Sequence, residues 1–563
     1  MATDAQAPAL ERTLARLHDA LARLELGLEL PGVARARAAR RELVGQIDDY
    51  LLPRLRQMEA PLLMVVGGST GAGKSTLVNS LVGATVSPAG VLRPTTRAPL
   101  LVCHAGDLRW FEDDRILPGL PRASGGDATP GTLHLVPVER LPSGLALLDA
   151  PDIDSVVQAN RALAGQLLAA ADSWLFVTTA ARYADAVPWD LLRAARERGT
   201  AISLVLNRVP PEAGEVAGHL REMLHARGLG DTELLVVPET TLDDGRLPPA
   251  ALGPVRRWLD SLAADAEARD ALVRRTLTGA LRSLPPRTRG VLDAAEAQVA
   301  AAAELREAVE RAYAGALAEI DDAVRSGTLL RGEVIARWHD VVGTGDVMRA
   351  LETRVGWVRD RLRSLITGAP PADAELKTAV QTGVDAMVHA AADRAAERAA
   401  QDWRERPPGR ALLADAPRLD SASSGLMPAT ADEVRAWQGR VFQLVREEGQ
   451  GKRTTARLAS LGLNGAGLTV MLAVFASTGG LTGAELVVAG GTSALSQKLL
   501  EAVFGDQAVR RLAERARADL LERVEELLSA EAQRFHERLE AAAPEPGRTE
   551  ELRVALRELE QAP

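Results

Sequence analysis

The eight residues from Gly68 to Ser75 combine the residue types and spacing that bind a phosphate chain. They read Gly-Ser-Thr-Gly-Ala-Gly-Lys-Ser and complete the pattern G-x-x-x-x-G-K-[ST]. In such a loop the backbone N–H groups surround the phosphates, and the N-terminus of the next helix adds positive potential. We expect Lys74 to reach the β- and γ-phosphates and the Ser75 hydroxyl to bind Mg²⁺. The predicted nucleotide-binding residues of this loop are Gly68, Ser69, Thr70, Gly71, Ala72, Gly73, Lys74, Ser75 and Thr76. The alternative is a chance glycine-rich loop.

The segments on both sides of this loop have the character that the motif requires. The apolar run 62–66 predicts a strand, and the run 76–82 suits a helix. Strand, glycine loop and helix together favour the phosphate-binding interpretation.

A candidate metal-linked carboxylate follows the apolar run 145–148. Asp149 ends this run, which is typical of a strand whose aspartate holds Mg²⁺ through a water molecule. GTPases have D-x-x-G at this point, and the glycine amide meets the γ-phosphate. Here Asp152 replaces that glycine. Asp152 and Asp154 either help to hold the metal or belong to a solvated acidic loop.

The segment 93–99, between these two motifs, reads Arg-Pro-Thr-Thr-Arg-Ala-Pro. A threonine here can close over Mg²⁺ with its hydroxyl and sense the γ-phosphate with its backbone, as in a switch segment. We predict Thr96 for this role, with Thr95 as the alternative, and we predict Thr96 and Lys74 as the catalytic residues. The other interpretation is an ordinary Pro-Thr loop.

The residues that would recognise the base are incomplete. After the apolar run 201–206 comes Asn207-Arg208-Val209-Pro210, where GTPases have N/T-K-x-D. Asn207 fits, and Arg208 can cover the base by stacking. Pro210 cannot supply the carboxylate that reads guanine. Glu239, after the run 233–237, is the predicted substitute, and the choice between GTP and ATP stays open at this stage.

The composition bounds the class of protein. The 563 residues exceed what one hydrophobic core organises, and a net charge of −9 gives no case for nucleic acid binding, so we predict none. The lone cysteine, Cys103, excludes a disulfide framework and a thiolate metal cluster. It predicts a buried structural thiol in a reducing cytosol. Residues 1–30 carry no signal-peptide pattern.

The residue pattern divides the chain into three parts. Heptad-like leucines and a second helical run predict an N-terminal helical segment, 1–60, that packs with the C-terminal half. Residues 61–262 alternate strand and helix runs, which predicts an α/β domain with a mostly parallel sheet. Residues 263–563 show helical runs only and predict a large all-α region, with expected breaks near 285–286, 369–371, 407–408, 416–428 and 544–546.

The chain resembles bacterial dynamin-like GTPases. The resemblance is carried by Gly68–Ser75, by Thr96-Arg97-x-Pro99, by Asp149-Ala150-Pro151 and by Asn207-Arg208, in the order that the family has them. It covers about 150 residues of sequence. It implies a P-loop GTPase domain on a helical stalk, hydrolysis of GTP with Mg²⁺, and a homodimer through the GTPase domain.

Departures from the family pattern bear on turnover. Thr70 and Gly71, with Ala72 next, stand where dynamins have a polar residue and a serine that help catalysis, and no glutamine follows Asp149 as in Ras-like enzymes. The resemblance therefore implies turnover that is slow or depends on dimerisation. Arg182 is either a contact to the nucleotide of a second subunit or a surface arginine.

The segment 455–505 is a candidate membrane-interacting hairpin. Residues 458–484 and 486–497 carry no charged side chain, and basic residues flank the pair on both outer sides. A helix needs about 20 apolar residues to span a bilayer, and only the first stretch approaches this length. The flanking charges favour the cytoplasmic side for both ends. We predict lipid contact through 458–497 at the inner face of the cell membrane; a buried hairpin of small residues is the alternative.

Three other classes of protein compete with a dynamin-like GTPase. An ATP-binding transport subunit needs an L-S-G-G-Q signature, which the chain lacks. A small-molecule kinase leaves the helical half unexplained. A nucleotide-binding scaffold with little hydrolysis is favoured by Pro210 and Asp152. The function we predict is hydrolysis of GTP coupled to movement of the helical stalk at a membrane.

Overall fold

The structure is a computed structural model. It describes residues 7–87, 98–114, 116–117, 119–124, 131–152, 158–326, 372–414, 416, 418–448, 470–471, 474 and 506–562.

An eight-stranded sheet organises the α/β part of the chain. Its strands are β1 Leu62–Gly68, β2 Leu100–Cys103, β3 Arg122–Ala123, β4 Leu133–Pro137, β5 Leu145–Asp149, β6 Ser173–Thr179, β7 Ala201–Val209 and β8 Glu233–Pro238. They lie in the order β3-β4-β2-β5-β1-β6-β7-β8. Neighbouring strands pair in parallel except β2 and β5, which are antiparallel. The predicted mostly parallel sheet is therefore confirmed, and the carboxyl ends of β5, β1, β6, β7 and β8 share one edge.

Helices cover both faces of this sheet. They are α4 Lys74–Val82, α5 Gln158–Ala169, α6 Ala186–Glu197, α7 Val216–Ala226 and α8 Pro249–Ala264. Successive apolar residues of β1 point to opposite faces of the sheet, so both faces must be covered. Met64 packs in the cluster that contains α4 and α8, whereas Val65 packs in the cluster that contains α5, α6 and α7. Cys103 is buried in β2, as predicted, and burial raises the pKa of its thiol to about 12.

The N-terminal helices form a third cluster. They are α1 Ala7–Arg23, α2 Val33–Gln46 and α3 Leu52–Arg56, with a π-helical turn at Ile47–Leu51. Leucines of α1 pack against the first half of α9, Ala266–Arg325, and against the last helix, Pro546–Gln561, which we number α14. The expected break at Pro285-Pro286 was wrong: α9 continues through both prolines, because buried residues such as Leu284 and Val291 hold the helix on either side.

The remaining described helices make a helical core of their own. They are α10 Ala372–Glu405, α11 Pro407–Ala414, α12 Leu426–Glu448 and α13 Asp506–Glu540, packed with the second half of α9. Two fully buried tryptophans satisfy their N–H groups on backbone carbonyls: Trp403 Nε1 donates to Leu305 O (3.0 Å) and Trp437 Nε1 donates to Ala516 O (2.7 Å). The predicted large helical region is confirmed.

The contacts divide the chain into two compact units. The first comprises Met1–Leu26, Gly32–Glu296 and Pro544–Pro563, and the second comprises Gly27–Pro31 and Ala297–Ala543. The boundaries predicted after residues 60 and 262 follow composition, whereas this division follows packing, and the three-part scheme stays a prediction.

The candidate membrane hairpin lies almost entirely outside the described residues. Three of its residues are described, and Val470, Met471 and Val474 are buried in the helical core. Within the ranges given above, each helix is too short or too polar to cross a membrane.

Candidate functional site

The loop between β1 and α4 has a backbone that only glycine permits at two positions. Gly68 has φ 148°, and a Cβ there would lie 2.1 Å from the carbonyl oxygen of Val177. Gly73 has φ 95°, and a Cβ there would lie 2.5 Å from Nδ2 of Asn207. The glycines therefore let the loop pass close to β6 and β7 while α4 begins at Lys74.

The ammonium of Lys74 lies inside this loop. It donates to Gly68 O (2.9 Å) and Ser69 O (3.2 Å), and it forms an ion pair with the carboxylate of Asp152. The Lys74 side chain is 4% exposed and that of Asp152 is 15% exposed. The loop thus holds one buried cation at the start of α4.

Asp149, at the end of β5, accepts hydrogen bonds from two hydroxyl groups. Ser75 Oγ donates to its Oδ2 at 2.8 Å, and Ser87 Oγ donates to the same oxygen at 2.7 Å. The pairing of Val66 with Asp149 between β1 and β5 brings the carboxylate beside the loop. Complete burial raises the pKa of the Asp149 carboxyl, against the two hydroxyl hydrogen bonds and the Lys74 charge, which lower it.

These oxygen atoms fit Mg²⁺. The Ser75 hydroxyl and the Asp149 carboxylate are hard oxygen ligands, and Mg²⁺ keeps several of its waters in such sites. The buried Oδ1 of Asp149 has no hydrogen-bond partner in the part of the chain that the structure describes. A buried carboxylate oxygen without a donor is a suitable acceptor for a water molecule bound to a cation. The charge of that cation would also offset the cost of burying the carboxylate.

Asn207 connects the end of β7 to the phosphate loop. Its buried Nδ2 donates to Ala72 O at 2.8 Å, and its Oδ1 accepts the backbone N–H of Arg208 at 3.0 Å. Arg208 has φ 52° and is exposed, and its Nη2 lies 3.9 Å from where a Cβ on Gly73 would stand. Asn207 and Arg208 thus lie next to the loop on the side of β7.

Glu239 lies at the same edge of the sheet. It follows β8, its backbone N–H donates to Val209 O (2.9 Å), and its side chain is exposed. Because β7 and β8 are neighbours, the three residues predicted to contact the base lie at adjacent strand ends: Asn207 and Arg208 near the end of β7, and Glu239 directly after β8. Thr76 lies in the first turn of α4. Thr95, Thr96 and Asp154 lie outside the described residues.

Two polar residues around the loop, Asn79 and Ser87, were missed by the sequence analysis. Asn79 Oδ1 accepts the backbone N–H groups of Val86 and Ser87 (both 2.9 Å), which positions the Ser87 hydroxyl on Asp149. A buried amide among the apolar residues of α4 was the available signal for Asn79. Arg182, considered above as a contact to a second subunit or a surface arginine, donates to Thr70 O of its own chain at 2.8 Å.

No protein-family model and no curated protein matches the chain. The solved structures to which it is similar include *Aquifex aeolicus* Era bound to GDP·AlF4⁻, at 18% identity and TM-score 0.24, over 36% of this chain and 56% of Era. Era has also been solved with MgGDPNP and a segment of 16S ribosomal RNA. The match therefore spans little more than half of Era, and the absence of nucleic acid binding here stays a prediction.

Two further similar structures are bacterial dynamins. One is an oligomerised bacterial dynamin pair described as sensing and tethering membranes, at 10% identity and TM-score 0.36, over 93% of this chain and 95% of that one. The other is LeoA, a bacterial dynamin GTPase from ETEC, at 11% identity and TM-score 0.25, over 100% and 99%. Both belong to the family that the sequence motifs resemble.

Proposed function

We propose that this chain is a dynamin-like GTPase that binds and hydrolyses GTP with Mg²⁺. The observation that carries the proposal is the convergence of one buried cation, one hydroxyl and one buried carboxylate on the loop between β1 and α4. Lys74, Ser75 and Asp149 supply these groups. This set of groups suits a triphosphate and its metal better than it suits a neutral ligand.

Each group has a part in this proposal. Lys74 neutralises charge on the bridge between the β- and γ-phosphates. Ser75 would bind the metal with its hydroxyl, Asp149 would hold it through a water molecule, and Thr96 would close over it from the switch segment. Magnesium, when bound, supplies charge neutralisation on the phosphate oxygens. Arg208 covers the base, and Glu239 accepts from the guanine N1–H and 2-amino groups in place of the aspartate that Pro210 removes.

The helical half and the membrane enter as further parts of the proposal. Nucleotide binding drives a movement of the helical stalk, and a homodimer forms through the GTPase domain. The apolar segment 458–497 contacts lipid, which places the protein in the cytoplasm at the inner face of the cell membrane. The basic residues on both outer sides of that segment support this orientation.

Equilibrium binding of GTP, GDP, ATP and ADP to the full chain, with and without Mg²⁺, tests the function. We expect GTP to bind more tightly than ATP, and phosphate release from GTP to require Mg²⁺. The Glu239→Gln variant tests the base contact, and Glu233→Gln, an exposed glutamate at the other end of β8, is its matched control. Tighter ATP binding would support an ATP-binding protein instead, and nucleotide binding without phosphate release would support a scaffold.

A further inference from the structure

Asp152 occupies a position that separates this loop from the D-x-x-G pattern. It is the third residue after Asp149, where the pattern has a glycine whose amide meets the γ-phosphate. Among the described residues, three acceptors contact the Lys74 ammonium, and the Asp152 carboxylate is the charged one of the three. An ammonium has three N–H donors, so Gly68 O, Ser69 O and Asp152 use all of them.

A phosphate that binds Lys74 must therefore displace one of these acceptors. Gly68 O and Ser69 O belong to the loop backbone, which the glycine conformations and the contact with Asn207 hold in place. Asp152 follows the end of β5 and contacts Lys74 through its side chain, so rotation about its side-chain bonds is enough to release it. Asp152 is therefore the acceptor that a phosphate oxygen replaces.

The two ends of a nucleotide's phosphate chain differ in how closely they approach this carboxylate. The γ-phosphate binds next to the D-x-x-G segment, and the β-phosphate lies deeper in the glycine loop. A triphosphate thus brings negative charge beside Asp152, whereas a diphosphate leaves that position to the carboxylate. Like charges at short distance in a poorly solvated site repel strongly.

We propose that Asp152 is an internal competitor for the place of the γ-phosphate on Lys74 and so sets the preference of the site between triphosphate and diphosphate. This inference rests on the proposed nucleotide site. It assigns to Asp152 a role in specificity: the carboxylate lowers the affinity for a triphosphate more than the affinity for a diphosphate, which lacks the γ-phosphate charge.

The test is the affinity of the full chain for GMPPNP and for GDP, each with Mg²⁺, measured by calorimetry. We expect Asp152→Asn and Asp152→Gly to raise the ratio of triphosphate to diphosphate affinity about tenfold, since they remove one like charge beside the γ-phosphate. Asp190→Asn, which removes an exposed carboxylate on α6, is expected to leave the ratio unchanged. An unchanged ratio in both Asp152 variants, or weaker binding of both nucleotides, would overturn the inference.

A double-mutant cycle separates this inference from the proposed function. Unfolding by urea is measured without nucleotide for wild type, Lys74→Met, Asp152→Asn and the double variant. We expect the two single changes to be non-additive, because the ion pair is nearly buried. Additive changes would contradict the pairing and overturn the inference. Non-additive changes in a protein that binds no nucleotide would instead overturn the proposed function, and the specificity role with it.

Discussion

The hydroxyl of Ser75 donates a hydrogen bond to the buried carboxylate of Asp149 across 2.8 Å, so the first turn of α4 and the end of β5 are held together at the proposed nucleotide site. We expect Ser75→Ala to weaken GTP binding in the presence of Mg²⁺ by about tenfold or more and to change binding without Mg²⁺ little, because the hydroxyl is a proposed metal ligand. The measurement is a GTP titration at several Mg²⁺ concentrations.

The control for this prediction is Ser143→Ala. Ser143 Oγ also donates to a carboxylate, Asp107, at 3.0 Å, and it lies before β5, away from the loop. Equal losses of GTP affinity in both variants, or a loss of affinity that does not depend on Mg²⁺, would contradict the role of Ser75 as a metal ligand.

Asn207 is expected to support the phosphate loop from the side of β7. Asn207→Ala removes the buried donor of Ala72 O, and an unpaired buried carbonyl costs about 1–3 kcal/mol. We predict weaker binding of GTP and GDP alike, together with a lower melting temperature. Gln298→Ala, which removes a buried amide bonded to the backbone of Leu28 in the helical unit, is the control. It is expected to lower stability and leave nucleotide affinity unchanged, and the same result for Asn207→Ala would show that the contact does not matter for binding.

A buried ion pair joins the N-terminal helices to the sheet. Arg54 Nη2 lies 2.9 Å from Asp172 Oδ2, both side chains are less than 10% exposed, and Asp172 also accepts the backbone N–H of Leu63 at 2.8 Å. Because removal of one partner leaves a buried charge, we expect Arg54→Met to cost about 3–5 kcal/mol of the free energy of unfolding.

Urea unfolding measures this cost, and an exposed pair of the same kind provides the comparison. Arg193 lies 2.7 Å from Asp190 on the surface of α6, and we expect Arg193→Met to cost less than about 1 kcal/mol. Similar costs for the two variants would show that the Arg54 pair is solvated.

Asp49 contributes to the pH dependence of stability. Burial, with a smaller contribution from the Asp48 charge, raises the pKa of this carboxyl to about 6, against the hydrogen bond from Gln166. The folded protein thus binds the proton more tightly than the unfolded chain. Above about pH 6 the Asp49 carboxyl is charged in the folded protein, which lowers the free energy of unfolding. The free energy of unfolding rises again as the pH falls from 6 toward about 4, the pKa of the carboxyl in the unfolded chain.

We therefore expect Asp49→Asn to raise the melting temperature at about pH 7.5 and to have little effect at about pH 4.5. The free-energy gain at the higher pH is about 3 kcal/mol, since the pKa differs by about two units and each unit corresponds to about 1.4 kcal/mol. Thermal unfolding across this range measures the difference between variant and wild type. A difference that is constant with pH would contradict the raised pKa.

Lipid binding by 458–497 requires a test that avoids the helical core. Val470 and Val474 are buried there, so charges at these positions are expected to unfold the protein rather than to report on membranes. We predict that the wild type floats with liposomes and that Val487→Asp with Val488→Asp abolishes flotation. The control variant carries Leu242→Asp and Val554→Asp, which change exposed residues, and we expect it to float with liposomes like the wild type. Insertion of this segment would be excluded if the Val487/Val488 variant floats like the control variant. It would also be excluded if the wild type does not float.

The sequence predicted the parts of this fold that depend on local pattern. Six apolar runs correspond to β1, β2 and β5 to β8, since strands of a covered parallel sheet read as nearly continuous apolar runs; the runs are 62–67, 98–103, 144–148, 173–179, 201–206 and 233–237. Strand β4, Leu133–Pro137, was missed because it follows a stretch rich in glycine and proline. The antiparallel direction of β2 against β5 was also missed, because a short apolar run carries no sign of direction.

The candidate site was predictable only where a motif spans adjacent residues. Lys74 and Ser75 follow from the glycine loop itself. The Lys74–Asp152 ion pair, the Ser87 hydroxyl on Asp149 and the Arg182 contact to Thr70 O join residues that are far apart in sequence. Such contacts depend on how strand ends meet, and no periodicity or spacing encodes them.

The central claim is that Lys74 binds the phosphates of a nucleotide, and the affinity of the Lys74→Ala variant for fluorescent GTP with Mg²⁺ tests it most directly. Circular dichroism verifies the fold of the variant, and Arg193→Ala serves as a control for loss of one positive charge. We predict that Lys74→Ala weakens binding at least about thirtyfold, the effect of losing about 2 kcal/mol or more from a buried charge contact. Binding that stays as tight as in wild type would contradict the claim.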